Sequence, residues 1–196
     1  MIAAGLEKEL LDFWQNADVG KILGFDKHYI EKVKLGKKDF DYLIAKIDNF
    51  IDILKNKGIS IDGLRNVLNH YNIEDKLRKS NIIFGLSTLR LKDGKPLDLF
   101  INDIPKGSLN NYILASCYLP VFTKEKLEDD SYFFDGGIYN NCPINMLLKK
   151  NFDKVYAIDL QAIGINEKII NETKVIKITP SRKLSPILSI SNEEIT

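Results

Sequence analysis

The stretch Tyr132-Phe133-Phe134-Asp135-Gly136-Gly137-Ile138-Tyr139-Asn140-Asn141-Cys142-Pro143-Ile144 constrains this chain more than any other. A short aromatic run that ends in Asp and meets two glycines at once reads as a buried strand whose last residue presents a carboxylate where the backbone turns sharply. Gly136 and Gly137 can adopt positive φ, and without Cβ atoms they let another backbone or a reacting group approach Asp135. Pro143 suits the first turn of a helix, with Asn141 or Cys142 as its cap. Open α/β sheets place their chemistry at the carboxyl ends of strands, beside helix starts, which makes Asp135 a candidate functional group. By itself, Asp-Gly after an apolar run is more often a plain turn, so the rest of the chain has to decide.

The remaining segments alternate strand-like and helical patterns. Ile2, Leu6, Leu10, Phe13 and Trp14 form a helical stripe over residues 1–14 with nothing ahead of it to act as an N-cap. Residues 18–36 are mixed short helix and loop. Phe40, Leu43, Ile44, Ile47, Phe50, Ile51 and Leu54 mark an amphipathic helix over 39–57, stopped by Gly58, whose apolar face suits a core better than a membrane. A further helix is expected over 62–71, strands over 81–88 and 96–101, a helix over 105–116, a helix over 143–150, and strands over 154–160 and 174–180. Strands alternating with helices predict an α/β fold with a mostly parallel sheet flanked by helices. With 196 residues, 44% of them hydrophobic, and no repeat or linker-like tract, one domain spanning 1–196 is expected.

Composition excludes several functions. Lys plus Arg number 28 against 27 Asp plus Glu, with no basic stripe, so nucleic acid is not an expected partner. Cys117 and Cys142 have no metal-ligand spacing and form no disulfide framework, which fits a cytoplasmic compartment and predicts neither metal nor cofactor. No apolar run is long enough to span a membrane, and Glu7 and Lys8 interrupt any leader-like start, so a membrane would be met peripherally. His28 and His70 are solitary and read as surface residues. Asp159 ends a strand without any glycine-rich phosphate loop, so it is expected to bond local backbone and not a nucleotide. Ser116, at a helix end, is expected to be structural.

Taken together, Ala115-Ser116, Pro120, Phe122, Asp135-Gly136-Gly137, Asn141 and Pro143 resemble the second half of the patatin-like phospholipase domain. The resemblance implies a patatin-like α/β fold, a lipid or acyl-ester substrate, and hydrolysis by a Ser-Asp dyad in which Asp135 is the base and Gly136 and Gly137 permit its approach. Phe133, Phe134 and Tyr139 are then expected to form an apolar surround for Asp135. The nucleophile elbow Gly-x-Ser-x-Gly and the glycine-rich oxyanion loop do not occur: Gly85-Leu86-Ser87 lacks the closing glycine, and Gly107-Ser108 lacks the spacing. The small-residue start Met1-Ile2-Ala3-Ala4-Gly5 resembles the helix that follows the elbow, and Ser191-Asn192-Glu193-Glu194 has the form of a capping box that opens a helix. Both ends therefore lead us to expect a domain incomplete at its amino terminus and at its carboxyl terminus. Two functions remain open on these grounds. One is a lipid acyl hydrolase whose nucleophile lies outside this sequence, the chain alone being inactive; the other is a non-catalytic α/β binding or scaffolding module derived from the same family.

Overall fold

The computed structural model describes residues 1–17, 22, 58–161 and 165–182. The strand at its centre is β1 (Gly85–Arg90), flanked by β2 (Lys95–Phe100) and β3 (Phe133–Asp135) in the order β2-β1-β3. Both pairings are antiparallel, running from Gly85↔Phe100 to Arg90↔Lys95 on one side and from Thr88↔Asp135 to Arg90↔Phe133 on the other. A second, parallel pair joins β4 (Val155–Ile158) to β5 (Val175–Ile178). The fold is α/β, but the described residues do not form the mostly parallel sheet that strand–helix alternation predicts. The reason lies in the connection between β1 and β2, only residues 91–94, because a link that short can only reverse the chain. Arg90 braces the turn through two hydrogen bonds to the Asp93 carboxylate, at 3.0 and 2.7 Å.

The helices are α1 (Glu7–Asn16), α2 (Asp62–Tyr71), α3 (Glu74–Arg78), α4 (Leu109–Ser116) and α5 (Ile144–Leu148). The main core lies between α4 and the three-stranded sheet, where Leu77, Leu86, Ile101, Leu109, Tyr112 and Phe133 are buried together. Thr88 ties the layers: its hydroxyl is fully buried 3.0 Å from the Ala115 carbonyl of α4 and 2.9 Å from the Phe134 carbonyl of β3. Leu114 faces a second cluster with Ile59, Ile61, Tyr118 and Phe122. Ile144 and Leu148 of α5 cover Val155 and Ala157 of β4. The other face of that strand pair is open among the described residues, with Tyr156 62% and Ile158 69% exposed.

Several expected boundaries move. The stripe over 1–14 is two pieces, a 3₁₀ turn at Ile2–Ala4 and then α1, because Gly5 takes φ 67 and its N–H closes onto the Ile2 carbonyl. Strand character is expected from Asn81 but begins only at Gly85. Ile82 and Ile83 are exposed, and β-structure needs a paired neighbour that residues 81–84 do not have in either sheet. The helix after Asp135 starts later than expected, with Pro143 in the cap position and no side chain of Asn141 or Cys142 capping it. The segment 39–57, all but residue 22 of 18–36, His28 and Ser191–Glu194 lie outside the described residues. His70 is exposed, as expected.

Leu114 has no exposed surface and joins α4 to the second cluster. Leu114→Ala is therefore expected to lower unfolding stability by about 2–5 kcal/mol, read from the midpoint of urea denaturation at constant slope.

Candidate active site

Asp135 is where β3 ends and the chain turns. Its N–H donates to the Tyr118 carbonyl at 2.8 Å, which ties the end of β3 to the segment just past α4. Its side chain caps the 3₁₀ turn Gly136–Ile138 that follows, Oδ1 accepting from the Gly137 N–H at 2.7 Å. The turn lies flat on β1. An ideal Cβ on Gly136 would sit 2.4 Å from the Ser87 carbonyl oxygen, and one on Gly137 would sit 2.9 Å from Asn141 Oδ1 and 3.1 Å from Asp135 Oδ1. Neither glycine takes positive φ; the double glycine is required by close approach and not by a left-handed turn.

Asp135, Gly136 and Gly137 line a cleft of about 370 Å³ with Ser87 of β1, Ile113 and Ser116 of α4, Cys117, Asn140 and Asn141. Its apolar lining is Phe84, Leu86, Ile113 and Pro143. The aromatic residues expected around Asp135 lie elsewhere: Phe133 turns into the core against Tyr112, ring centroids 6.1 Å apart, and neither Phe134 nor Tyr139 lines the cleft. Burial pushes the Asp135 carboxyl above its ordinary value, against the Gly137 N–H that favours the ionised form. Cys117, exposed to solvent, also lines this cleft, and the Asp135 carboxylate beside it disfavours its thiolate. Ser116 ends α4 at the rim of the cleft. Asp159 accepts from the Gln161 N–H at 2.9 Å, the local backbone role expected of it.

Sequence reasoning missed the polar frame around the turn. The Asp98 carboxylate of β2 accepts from Ser87 Oγ at 2.6 Å and lies 3.3 and 3.4 Å from the Tyr139 hydroxyl. On the far side, Asn140 and Asn145 donate to Glu167 at 3.3 and 3.1 Å, and the Asn141 N–H donates to the Ile165 carbonyl at 2.7 Å. Asn140 Oδ1 is buried with no hydrogen-bond partner among the described residues. The only sequence signal for Asp98 was its alternate position in a hairpin strand, which puts it opposite Ser87.

A second cleft, also about 370 Å³, opens between Ile83-Phe84-Gly85 and the outer edge of β4, with Ala3 and Tyr156 in its wall. The two clefts share Phe84, Gly85 and Pro143. No group of three or more His, Cys, Asp or Glu residues that could hold a metal occurs among the described residues, and no described helix is long and apolar enough to cross a membrane.

The site is thus a half-buried carboxylate at the end of β3, held by a glycine turn over a cleft in an α/β fold. The family model for patatin-like phospholipase matches residues 1–148 of the 196, and the chain belongs to that family. The family is one of hydrolases acting on lipid substrates. No curated protein and no solved structure matches the chain.

Two outcomes follow from this geometry. With the native pKa of Asp135 above an unfolded value of about 3.9, the folded state binds the proton more tightly, so ionisation destabilises the fold as pH rises through the gap between the two values. Asp135→Asn should therefore be more stable than the parent at pH 7, with the difference in Tm shrinking as pH falls below the carboxylate range. Gly136→Ala should lower stability by about 1–3 kcal/mol and shift the Gly137 amide resonance, because the new methyl group cannot share space with the Ser87 carbonyl.

Proposed function

We propose that this chain carries the acid–base half of a lipid acyl hydrolase, with Asp135 as the general base and a serine nucleophile supplied by a segment that is not within residues 1–196. The observation that supports this reading is the Asp135 carboxylate itself: half-buried, raised in pKa, contacted by one backbone donor, and standing over a cleft beside two glycines. An aspartate near its ordinary pKa is a weak base, and desolvation moves it toward useful strength. In the reaction, Asp135 takes the proton from the serine hydroxyl as its oxygen attacks the ester carbonyl. The proton passes to the departing alcohol; water then attacks the acyl-serine, giving up a proton to Asp135, which hands it to the departing serine oxygen as the fatty acid is released, restoring both groups. No metal or organic cofactor enters this scheme.

The nucleophile-bearing strand fits best in the second cleft, between Gly85 and β4, because a strand laid there ends at the residues shared with the Asp135 cleft. Phospholipids or other acyl esters are the substrates we assign, reached from the cytoplasmic side of a membrane by peripheral contact. One observation favours a second reading. The chain holds no Gly-x-Ser-x-Gly elbow, so on its own it would retain the cleft without the reaction and act as a lipid-binding module.

The test is hydrolysis of a short-chain nitrophenyl ester and of phosphatidylcholine micelles by the chain alone and by the chain preceded in frame by a glycine-rich loop and a Gly-x-Ser-x-Gly segment. We expect no turnover from the chain alone. The extended protein should react with a fluorophosphonate at its serine and lose activity by about 10²–10⁴-fold on Asp135→Asn. Hydrolysis by the extended protein that survives Asp135→Asn would remove Asp135 from the mechanism. Failure of the extended protein to hydrolyse either substrate, with lipid still bound by the chain, would favour the binding module.

A further inference from the structure

The Asp-Gly-Gly turn is pinned at its near end by the Asp135 N–H on the Tyr118 carbonyl and by Gly136 against Ser87. Its far end is Tyr139, whose N–H closes onto the Gly136 carbonyl at 3.1 Å and whose hydroxyl reaches the Asp98 carboxylate. The same carboxylate accepts from Ser87, its cross-strand partner, at 2.6 Å. One side chain on β2 therefore holds both the strand on which the turn lies and the residue that ends the turn.

We propose that Asp98 is a positioning residue that, through Tyr139, seats the Asp-Gly-Gly turn on β1 and so fixes where the Asp135 carboxylate points. The importance of that role for catalysis rests on the reading of Asp135 as the base. The role assigned to Asp98 is geometric: burial raises the Asp135 carboxyl and the Gly137 N–H lowers it, and both depend on how the turn is seated. Tyr139 is suited to the link because burial first, then the charges of Asp98 and Glu167, push its phenol up, so it remains a donor throughout the neutral range. Ser87 and Asp98 also have the contact of a Ser-Asp dyad, and Ser87 lines the cleft. Yet Ser87 is 6% exposed within a strand, and its carboxylate is shared with a phenol, which suits a brace better than a nucleophile.

The experiment is a carboxyl-carbon NMR titration of the full chain labelled with carbon-13 aspartate, the Asp135 signal being assigned by its loss in Asp135→Asn. Loosening the turn lets water reach Asp135, so its midpoint should fall by about half a pH unit or more in both Tyr139→Phe and Asp98→Ala, and no further in the double variant. Asp98→Asn, whose amide oxygen still accepts from the phenol, should restore the parental midpoint. Leu148→Ala, in the separate cluster under β4, should lower Tm without moving the Asp135 signal. A folded Tyr139→Phe chain with the parental midpoint would overturn the proposal. So would an equal shift in Leu148→Ala, or fluorophosphonate labelling of Ser87 in the chain alone. Because no ester or nucleophile enters the titration, a failed hydrolysis assay leaves this result standing. An unmoved midpoint in turn removes Asp98 while leaving Asp135 as the base.

Discussion

The contact on which the site depends is the one between Gly136 and the carbonyl of Ser87, where even a methyl group would lie 2.4 Å from the oxygen. Backbone meets backbone there, and the turn that carries Asp135 lies against the middle of β1. The same strand reaches in the other direction through Thr88, whose buried hydroxyl bridges the carbonyls of Ala115 and Phe134. Position 87 therefore sets the height of the Asp-Gly-Gly turn, and position 88 sets α4 and β3. The cleft exists because both are fixed by adjacent residues of one central strand.

Electrostatics separates this carboxylate from the others nearby. Asp93, bonded to Arg90 on the surface turn, is held down to about 2, and Asp130 is lowered by Lys126. Among the described residues Asp135 has no ion-pair partner, and burial raises it. The same side chain thus moves in opposite directions according to whether its neighbour is a guanidinium or an apolar wall. A structural carboxylate is usually given a cation or several donors; among the described residues Asp135 has a single backbone N–H and an open cleft. A desolvated, underbonded carboxylate costs stability, and such cost concentrates at functional sites.

The sequence made the turn, the carboxylate and the close glycines legible, because all three are local: an aromatic run, an acid and two residues without Cβ. It also located α2 over Asp62–Tyr71 and most of β2, β4 and β5, where periodicity is strong. It failed where pairing decides. Ile82, Ile83 and Phe84 have strand-forming side chains but no strand paired with them among the described residues, whereas β1 runs on to Arg90 because β2 and β3 supply partners that far. Sheet direction was misjudged for a similar reason, since a four-residue link outweighs the general alternation of strand and helix. Asp98, Tyr139 and Glu167 were invisible as a frame because their relation to Asp135 spans sequence separations that no single motif covers.

The strand β4 points to what remains uncovered. Val155-Tyr156-Ala157-Ile158 is a continuous apolar run, the pattern of a parallel strand buried on both faces. Among the described residues α5 covers only the face of Val155 and Ala157, while Tyr156 and Ile158, with Ile176 and Ile178 beside them, face outward. The run also forms one wall of the second cleft, which meets the Asp135 cleft at Phe84, Gly85 and Pro143. A segment that satisfied this run would exclude water from the shared wall as well. It would push the Asp135 carboxyl further in the direction burial already moves it, so covering the sheet and desolvating that carboxylate are one physical event.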